Sequence, residues 1–367
     1  MSIRSLAPGR INIIGEHTDY NEGYVLPAAI DKHTIFELSP NGTPSTVNVT
    51  AKNLNESYSF DLESFKPLES GWQNYVMGVV HELQKIGAQI KGFDASFEGD
   101  VPIGGGMSSS ASLECSLAFG LNELFDLGFS KWEIIKAAQL SEHNFVGIKC
   151  GIMDQFSSTM GKKDHVILLD CRSLEFEYAP FDLGEYQLLL LNTNVSHALA
   201  SSEYNTRRAE CGQGVEILRK QFPTVGSLRD ADVDMLEAVA SDMPDVIYKR
   251  CKHVITENAR VIEAIEALNK GELGKLGQLV NASHESLSKD YEVSCPELDF
   301  LADLASQKDY VLGSRMMGGG FGGCTINIVL KEKVEELITE ASKKYFEQFS
   351  IELTPYSVGI EDGAHIL

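Results

Sequence analysis

The sequence predicts an α+β fold in two domains. Strand-and-turn signals crowd the first third and helical patterns the second half, so the two kinds of element segregate and do not alternate as a regular βαβ array. The chain has 367 residues, more than the roughly 100–200 of a single domain. Hydrophobic residues make up 43% and charged residues 23%, an ordinary globular composition that excludes disordered, collagenous and membrane classes. A turn-rich stretch at Ala179-Pro180 marks the expected boundary, giving domains 1–180 and 181–367.

The elements follow in chain order. Ile30 to Leu38 reads as a strand closed by a Pro40-Asn41-Gly42 turn. Val47, Val49 and Ala51 alternate with polar residues, as do Tyr58 and Phe60, which predicts hairpins. Trp72, Tyr75, Val76, Val79, Val80, Leu83 and Ile86 fall at helical spacing up to Gly87. Phe93 to Phe97 is a further strand leading into glycines 104–106 and a helix from Ser110 to Phe125. Ser130 caps a helix from Trp132 to Phe145, with Glu133 in its first turn. His165 to Asp170 and Gln187 to Asn192 are strands, and the sequence between them is irregular. Helices are expected over 203–221, 244–268, 271–288 and 297–307, then a glycine cluster at 318–323, a strand over 325–330, a helix over 332–347 and a last strand over 351–359.

Charge narrows the partners. Lys and Arg total 31 against 53 Asp and Glu, a net of −22, which argues against nucleic acid and anionic membrane surfaces. No window approaches the ~18 consecutive apolar residues of a membrane span. Arg4 and Arg10 leave no room for a signal-peptide core between them. Seven cysteines lie at least twenty residues apart with no CxxC pair, the pattern of free thiols in a reduced, cytoplasmic protein.

Familiar motifs fail. Gly161-Lys162 and Gly274-Lys275 lack the upstream glycine and following Ser/Thr of a P-loop. Gly318 to Gly323 formally matches GxGxxG, but a strand follows it where a dinucleotide site needs a helix. HExxH, HRD and DFG are absent.

Four segments survive. Pro8 to Gly23 packs Arg10, Glu16, His17, Thr18 and Asp19 into a glycine-bounded stretch. Such a cluster offers the directional partners that a polyhydroxylated ligand needs; the alternative is a polar turn held by internal salt bridges. Pro102 to Ser112 contains Gly104, Gly105, Gly106, Met107, Ser108, Ser109 and Ser110 at a helix N-terminus. Bare glycine backbone, unpaired N–H groups and the helix dipole suit a phosphate; the alternative is a glycine turn with a serine cap. In Cys150-Gly151-Ile152-Met153-Asp154, preceded by Glu142-His143, Asp154 is either a positioned base or an acid favoured by a helix dipole. Gly318 to Gly323 has five glycines in six residues, more than a turn between strands needs. His81, His253 and His284 sit in helical patterns and read as surface or satisfied packing residues.

Together these segments resemble the galactokinase family of the GHMP small-molecule kinase superfamily. The matching runs are GRINIIGEHTDYN from residue 9, PIGGGMSSSAS from 102, CGIMDQ from 150, ASSEYNTRR from 200 and GGGFGGC from 318. They occur in the family's order from residue 7 to 324. Six residues precede Ala7, where the family usually carries about twenty, and Met107 stands where Leu is usual. The resemblance implies the GHMP kinase fold: an N-terminal mixed α/β domain and a C-terminal ferredoxin-like, helix-rich domain with the active site in the cleft between them. It implies transfer of the γ-phosphoryl group of ATP to O1 of α-D-galactose, the first committed step of galactose breakdown, by a monomer. On this resemblance Asp154 is the base and Arg10 its catalytic neighbour. Glu16, His17, Thr18, Asp19, Gly151 and Tyr204 line the sugar. Residues 104–110 hold the triphosphate, and Ser110 and Glu142 hold Mg²⁺. Another substrate within the superfamily, or a sugar-sensing regulator, are the alternatives; the intact Ser110-Ala111 pair and Asp154 count against a regulator. Cys115, Cys150 and Cys324 lie in or beside the motifs, so thiol reagents are expected to inhibit.

Overall fold

The computed structural model describes residues 2–196 and 200–367. In the stretch 200–208 that carries part of the resemblance, side chains are described from Glu203 onward, and those of 200–202 lie outside the described residues.

Along the first half run β1 (Ile3–Asn12), β2 (Tyr24–Val25), β3 (Pro27–Pro40), β4 (Thr46–Ala51), β5 (Glu56–Asp61), α1 (Gln73–Lys85), β6 (Phe93–Gly99), α2 (Ser109–Leu124), α3 (Lys131–Ser141), α4 (Met153–Met160), β7 (His165–Asp170) and β8 (Phe176–Pro180). The second half has β9 (Tyr186–Ser196), α5 (Ala200–Gln221), α6 (Val233–Ala238), α7 (Asp245–Asn269), α8 (Leu273–Ser286), α9 (Pro296–Ser306), β10 (Val311–Met316), β11 (Gly322–Leu330), α10 (Val334–Phe349), β12 (Thr354–Ser357) and β13 (His365–Ile366).

The first sheet has the order β13-β1-β3-β6-β4-β5, antiparallel except where β4 pairs parallel with β6. Alternation in β4 buries Val47, Val49 and Ala51 against α1 and α2 side chains, among them Val76, Val80 and Leu117. The second sheet has the order β10-β11-β9-β12 with antiparallel pairing throughout. Its strands and helices follow the β-α-β-β-α-β plan of a ferredoxin-like layer. A small third sheet has the order β2-β7-β8.

Most expected elements are present within a few residues. Ser130 forms a capping box with Glu133 at the start of α3, and each satisfies an otherwise orphaned donor. The helix expected to run to Phe145 instead changes to a π turn over Glu142–Val146, ended by Gly147 in the left-handed region. Such turns re-aim side chains at functional sites, and this one begins at Glu142.

Several segments differ from expectation, the first being Ile3–Asn12, which forms β1 where no strand was expected. Residues 176–180, expected to be irregular, form β8 on the edge of the third sheet, paired with β7. The run is short, its core-facing residue is Ala179, and Pro180 is tolerated because the strand is an edge. β10 has Gly313, Ser314 and Arg315 in its centre, so neither propensity nor apolar alternation announces it. Val233–Ala238 forms α6, capped by Asp232. In addition, the C-terminal tail returns to the first sheet: Leu6 pairs with His365 in β13 and Ile30 bridges Ile360.

The core is shared between the halves. One cluster joins Ile11, Ile14, Val101 and Met107 to Leu190, Val261, Leu276 and Ile326. No helix among the described residues is long and apolar enough to cross a membrane.

Candidate active site

Strand β1 carries the first candidate residue, Arg10, past a bulge. Its register with β3 shifts between Pro8 and Arg10, which re-aims the side chain. A Cβ at Gly9 would lie 2.7 Å from the Met107 carbonyl oxygen, so glycine is what lets the phosphate-type loop dock on the strand. The Arg10 amide then donates to that same Met107 carbonyl at 3.0 Å.

Arg10 is buried, and each of its three guanidinium nitrogens has a partner. Nε and Nη2 both lie 2.8 Å from Asp154 Oδ1, and Nη1 donates to the Gly106 carbonyl at 2.5 Å. The other oxygen of Asp154, Oδ2, accepts from the Ser108 hydroxyl at 2.5 Å. Asp154 itself sits in the first turn of α4, where the dipole favours a carboxylate. Asp154 is thus a helix N-terminal acid whose two oxygens are also held in place by Arg10 and Ser108. Ser108 has left-handed backbone and makes no side-chain cap for α2; its hydroxyl is spent on Asp154. Met107 is wholly buried in the shared core, and its side chain packs under Gly105 of the loop.

The turn after β1 builds the second wall. Glu16 Oε1 accepts from Arg315 Nη2 at 3.0 Å and from the Gly318 amide at 2.9 Å, which leaves Oε2 for a ligand. His17 adopts φ 63°, and Nδ1 lies 2.7 Å from the Tyr20 hydroxyl. Burial, with His253 nearby, pushes the His17 imidazole down to about 3, so the ring is neutral. Burial and then the charge of Asp154 push Asp19 up to about 7. A Cβ at Gly151 would collide with Asp19 Oδ2, so this glycine makes room for the carboxylate. Thr18 does not face the cleft. Its hydroxyl lies 2.9 Å from the Gly15 carbonyl and 2.6 Å from the Tyr24 carbonyl, and it fastens the turn.

The third glycine run packs directly on the second. Cβ atoms at Gly106 and Gly318 would lie 2.8 Å from the Met317 carbonyl oxygen and 3.1 Å from the Gly106 carbonyl oxygen respectively. Gly318, Gly320, Gly322 and Gly323 have positive φ. The cluster is thus a turn between β10 and β11, and its glycines are required by the closeness of the two loops.

These pieces enclose a cleft of about 200 Å³ lined by Arg10, Glu16, His17, Asp19, Ser110, Glu142, Cys150, Gly151, Asp154, Tyr204 and Gly318-Gly319. Glu142 is buried and its carboxyl is pushed up to about 7 by burial, against the pull of the nearby Ser110 hydroxyl. Ser110 also opens onto a larger, mostly apolar cavity of about 670 Å³ walled by Trp72, Tyr75, Phe97 and Leu113. Ser109 opens α2 and lines the larger cavity, Gly104 lies on the loop before it with positive φ, and Gly105 packs on Pro102 and Met107. Of the three cysteines near the motifs, Cys115 and Cys324 are fully buried. Cys150 lines the cleft, but burial pushes its thiol well above the ordinary value, which suppresses the reactive thiolate.

Several residues in this architecture escaped the sequence reading. Arg315 is fully buried; besides Glu16 it holds the carbonyls of Asn12, Ile13 and Met316. On α7, His253 lies 3.1 Å from the Glu16 carbonyl, Glu257 accepts from the Gly15 amide at 2.9 Å and Asn258 from the Tyr24 amide at 2.9 Å. The i, i+4 spacing of His253 and Glu257 was the available signal. His253 is, as expected, a satisfied packing residue, yet its bond goes to the sugar-type turn.

A glycine loop at a helix N-terminus, facing an arginine-held carboxylate beside a polar cleft, is the equipment of a small-molecule phosphotransferase. Family models agree: GHMP kinases N terminal domain over residues 74–162, galactokinase galactose-binding signature over 3–40 and GHMP kinases C terminal over 264–348. The galactokinase of Thermotoga neapolitana is 42% identical over 98% of this chain and 99% of its own length. That of Clostridium acetobutylicum is 42% identical over 98% and 93%. The crystal structure of Lactococcus lactis galactokinase complexed with galactose matches with a TM-score of 0.96 at 36% identity, covering 100% of this chain and 95% of that one. The chain belongs to the galactokinase family of GHMP kinases. It is an enzyme of that activity, and as a kinase it uses ATP.

Proposed function

We propose that the cleft transfers the γ-phosphoryl group of ATP to the anomeric hydroxyl, O1, of α-D-galactose. The observation that carries this is Asp154, held by Arg10 and Ser108 where the phosphate-type loop meets the polar turn. The sugar oxygen attacks the γ-phosphorus as the bond to the bridging oxygen breaks and ADP leaves. Asp154 accepts the hydroxyl proton, using lone pairs not taken by Arg10 and Ser108. Phosphoryl transfer asks mainly for positioning and charge neutralisation. Arg10 supplies both, since it stays charged and its fork orients the carboxylate.

Glu16, His17, Asp19, Gly151 and Tyr204 form the sugar wall, and Thr18 braces the turn that presents them. Residues 104–110 receive the triphosphate on backbone N–H groups, and the apolar cavity beside Trp72 and Tyr75 takes the adenosine. Ser110 and Glu142 fit Mg²⁺: a hydroxyl and a buried carboxyl lie together, and a divalent cation would hold that carboxyl ionised. Few protein ligands suit this ion, which keeps phosphate and water oxygens. When bound it neutralises charge between the phosphates.

The test is a coupled ADP-release assay over a panel of hexoses including N-acetylgalactosamine, with ³¹P NMR of the product. Galactose is expected to turn over fastest and to give the 1-phosphate. Absence of galactose turnover, or phosphate on another oxygen, would refute the reading.

A further inference from the structure

We infer that Tyr20 and Tyr291 are positioning residues that fix His17 as its Nε2–H tautomer, making it a hydrogen-bond donor to a hydroxyl oxygen of the bound sugar. The inference deepens the proposed galactose reading of the cleft and rests on it for the identity of the ligand.

His17 is only 4% exposed, and its Nε2 has no hydrogen-bond partner among the described residues. The Gly319 carbonyl is near enough to favour a protonated ring, but it makes no hydrogen bond of ordinary geometry with Nε2. A buried polar atom left so is costly and calls for a partner. The residue lines the 200 Å³ cleft, so a ligand is the partner at hand. A neutral imidazole carries one proton, and what Nε2 offers depends on what Nδ1 does.

Nδ1 is the end of a buried chain. It lies 2.7 Å from the Tyr20 hydroxyl, which lies 2.8 Å from the Tyr291 hydroxyl, which lies 3.2 Å from Cys211 Sγ. The Asn21 side-chain Nδ2 donates to Cys211 Sγ at 3.7 Å and to the His17 carbonyl at 2.9 Å. Burial pushes the Cys211 thiol up to about 11, so it keeps its proton. Among the described residues, the acceptor within reach of that S–H is the Tyr291 oxygen. If the thiol donates there, Tyr291 donates to Tyr20, Tyr20 donates to Nδ1, and the ring proton sits on Nε2. The reverse orientation asks the sulfur to accept from both Asn21 and Tyr291 and strands its own proton.

The chemistry of the cleft matches this direction. Glu16 and Asp154 present carboxylates that accept hydrogen bonds from sugar hydroxyls. A hydroxyl that has given its proton to a carboxylate still has lone pairs to satisfy, and an Nε2–H serves them. The ring is held in place by packing: His17 lies 4.8 Å from Tyr291 and 5.4 Å from Tyr204, centroid to centroid, and Tyr291 lies 4.6 Å from His253.

Two variants, Tyr20→Phe and Tyr291→Phe, keep the rings and remove the hydroxyls. The first readout is ¹⁵N NMR of the histidine side chains in the free enzyme, with His17→Gln for assignment. The wild type is expected to show His17 as Nε2–H, and Tyr20→Phe a mixture of tautomers. The second readout is kinetics. Both variants are expected to raise the galactose KM by about tenfold, the size of one directed hydrogen bond, with kcat and the ATP KM within about twofold. A wild-type ring protonated on Nδ1, or a galactose KM unchanged in both variants, would overturn the inference. Wild-type enzyme that fails to turn over galactose at all would instead sink the proposed function, because the tautomer is read without substrate.

Discussion

At the scale of single residues, the cleft works by assigning each polar atom a partner. Arg10 divides its fork between Asp154 and Gly106, so one side chain ties the proposed base to the loop proposed for phosphate. Asp154→Asn keeps the shape and removes the basic oxygen. It is expected to fold and to bind galactose by calorimetry, while kcat falls by about 10²–10⁴. Near-normal kcat in the folded variant would end the base assignment. Asp19 gives a pH signature. Its folded value near 7 lies above the ordinary value of 3.8, so the folded state retains a proton that the unfolded chain has lost. Asp19 therefore subtracts stability progressively as pH rises from about 4 to about 7. Asp19→Asn is expected to gain stability relative to wild type across that window, read as a larger difference in urea midpoint at pH 8 than at pH 4. A constant difference would contradict the assignment. Much at this scale was legible: Arg10, Glu16, His17, Asp19 and Asp154 all reach the cleft. Thr18 and Ser108 were legible as members of motifs only, because the direction of a hydroxyl depends on acceptors far away in the chain.

Secondary-structure elements were legible where their signal is local. The capping box of α3 and the alternation of β4 each lie within a few neighbouring residues. β8 and β10 were not, since β8 is a short edge strand and β10 is stabilised by burying Arg315 among carbonyls from β1 and the turn after it. α7 shows the same division. Its amphipathic pattern announces a helix, but nothing nearby says that Glu257 grips Gly15. Glu257 is fully buried between the Gly15 amide, Ser283 and Arg260. Glu257→Gln leaves Arg260 without its charge partner and is expected to cost about 3 kcal/mol in denaturant unfolding. The galactose KM should rise as well, because the turn carrying Glu16 and His17 loses its anchor. A stability loss with unchanged galactose KM would show that α7 holds the fold without shaping the sugar wall.

For the whole molecule, the net charge of −22 sets a problem that the cleft must solve locally. The bulk field opposes ATP, itself a polyanion, and on the proposed reading attraction comes from backbone N–H groups at 104–110, the α2 dipole, Arg10 and a cation. Chelation of divalent ions is expected to abolish turnover and Mg²⁺ to restore it. The melting temperature without nucleotide should stay unchanged, since Ser110 and Glu142 alone make a weak site. Turnover in full in the presence of chelator would refute the metal's role.

What the sequence by itself determined is the chemistry of each motif: which residues are acids, where glycine frees the backbone, where a helix begins. Those properties belong to stretches of ten or so residues, although burial retunes the acids among them. What only the tertiary structure decided is how the motifs face one another and what holds them there. Gly15 and Glu257 are 242 positions apart, and Arg315 and Glu16 are 299 apart. Such pairs form because one hydrophobic core joins β1 to α7 and β11. Burial then makes every unpaired polar group at that seam costly, so the seam selects partners that no local pattern could name.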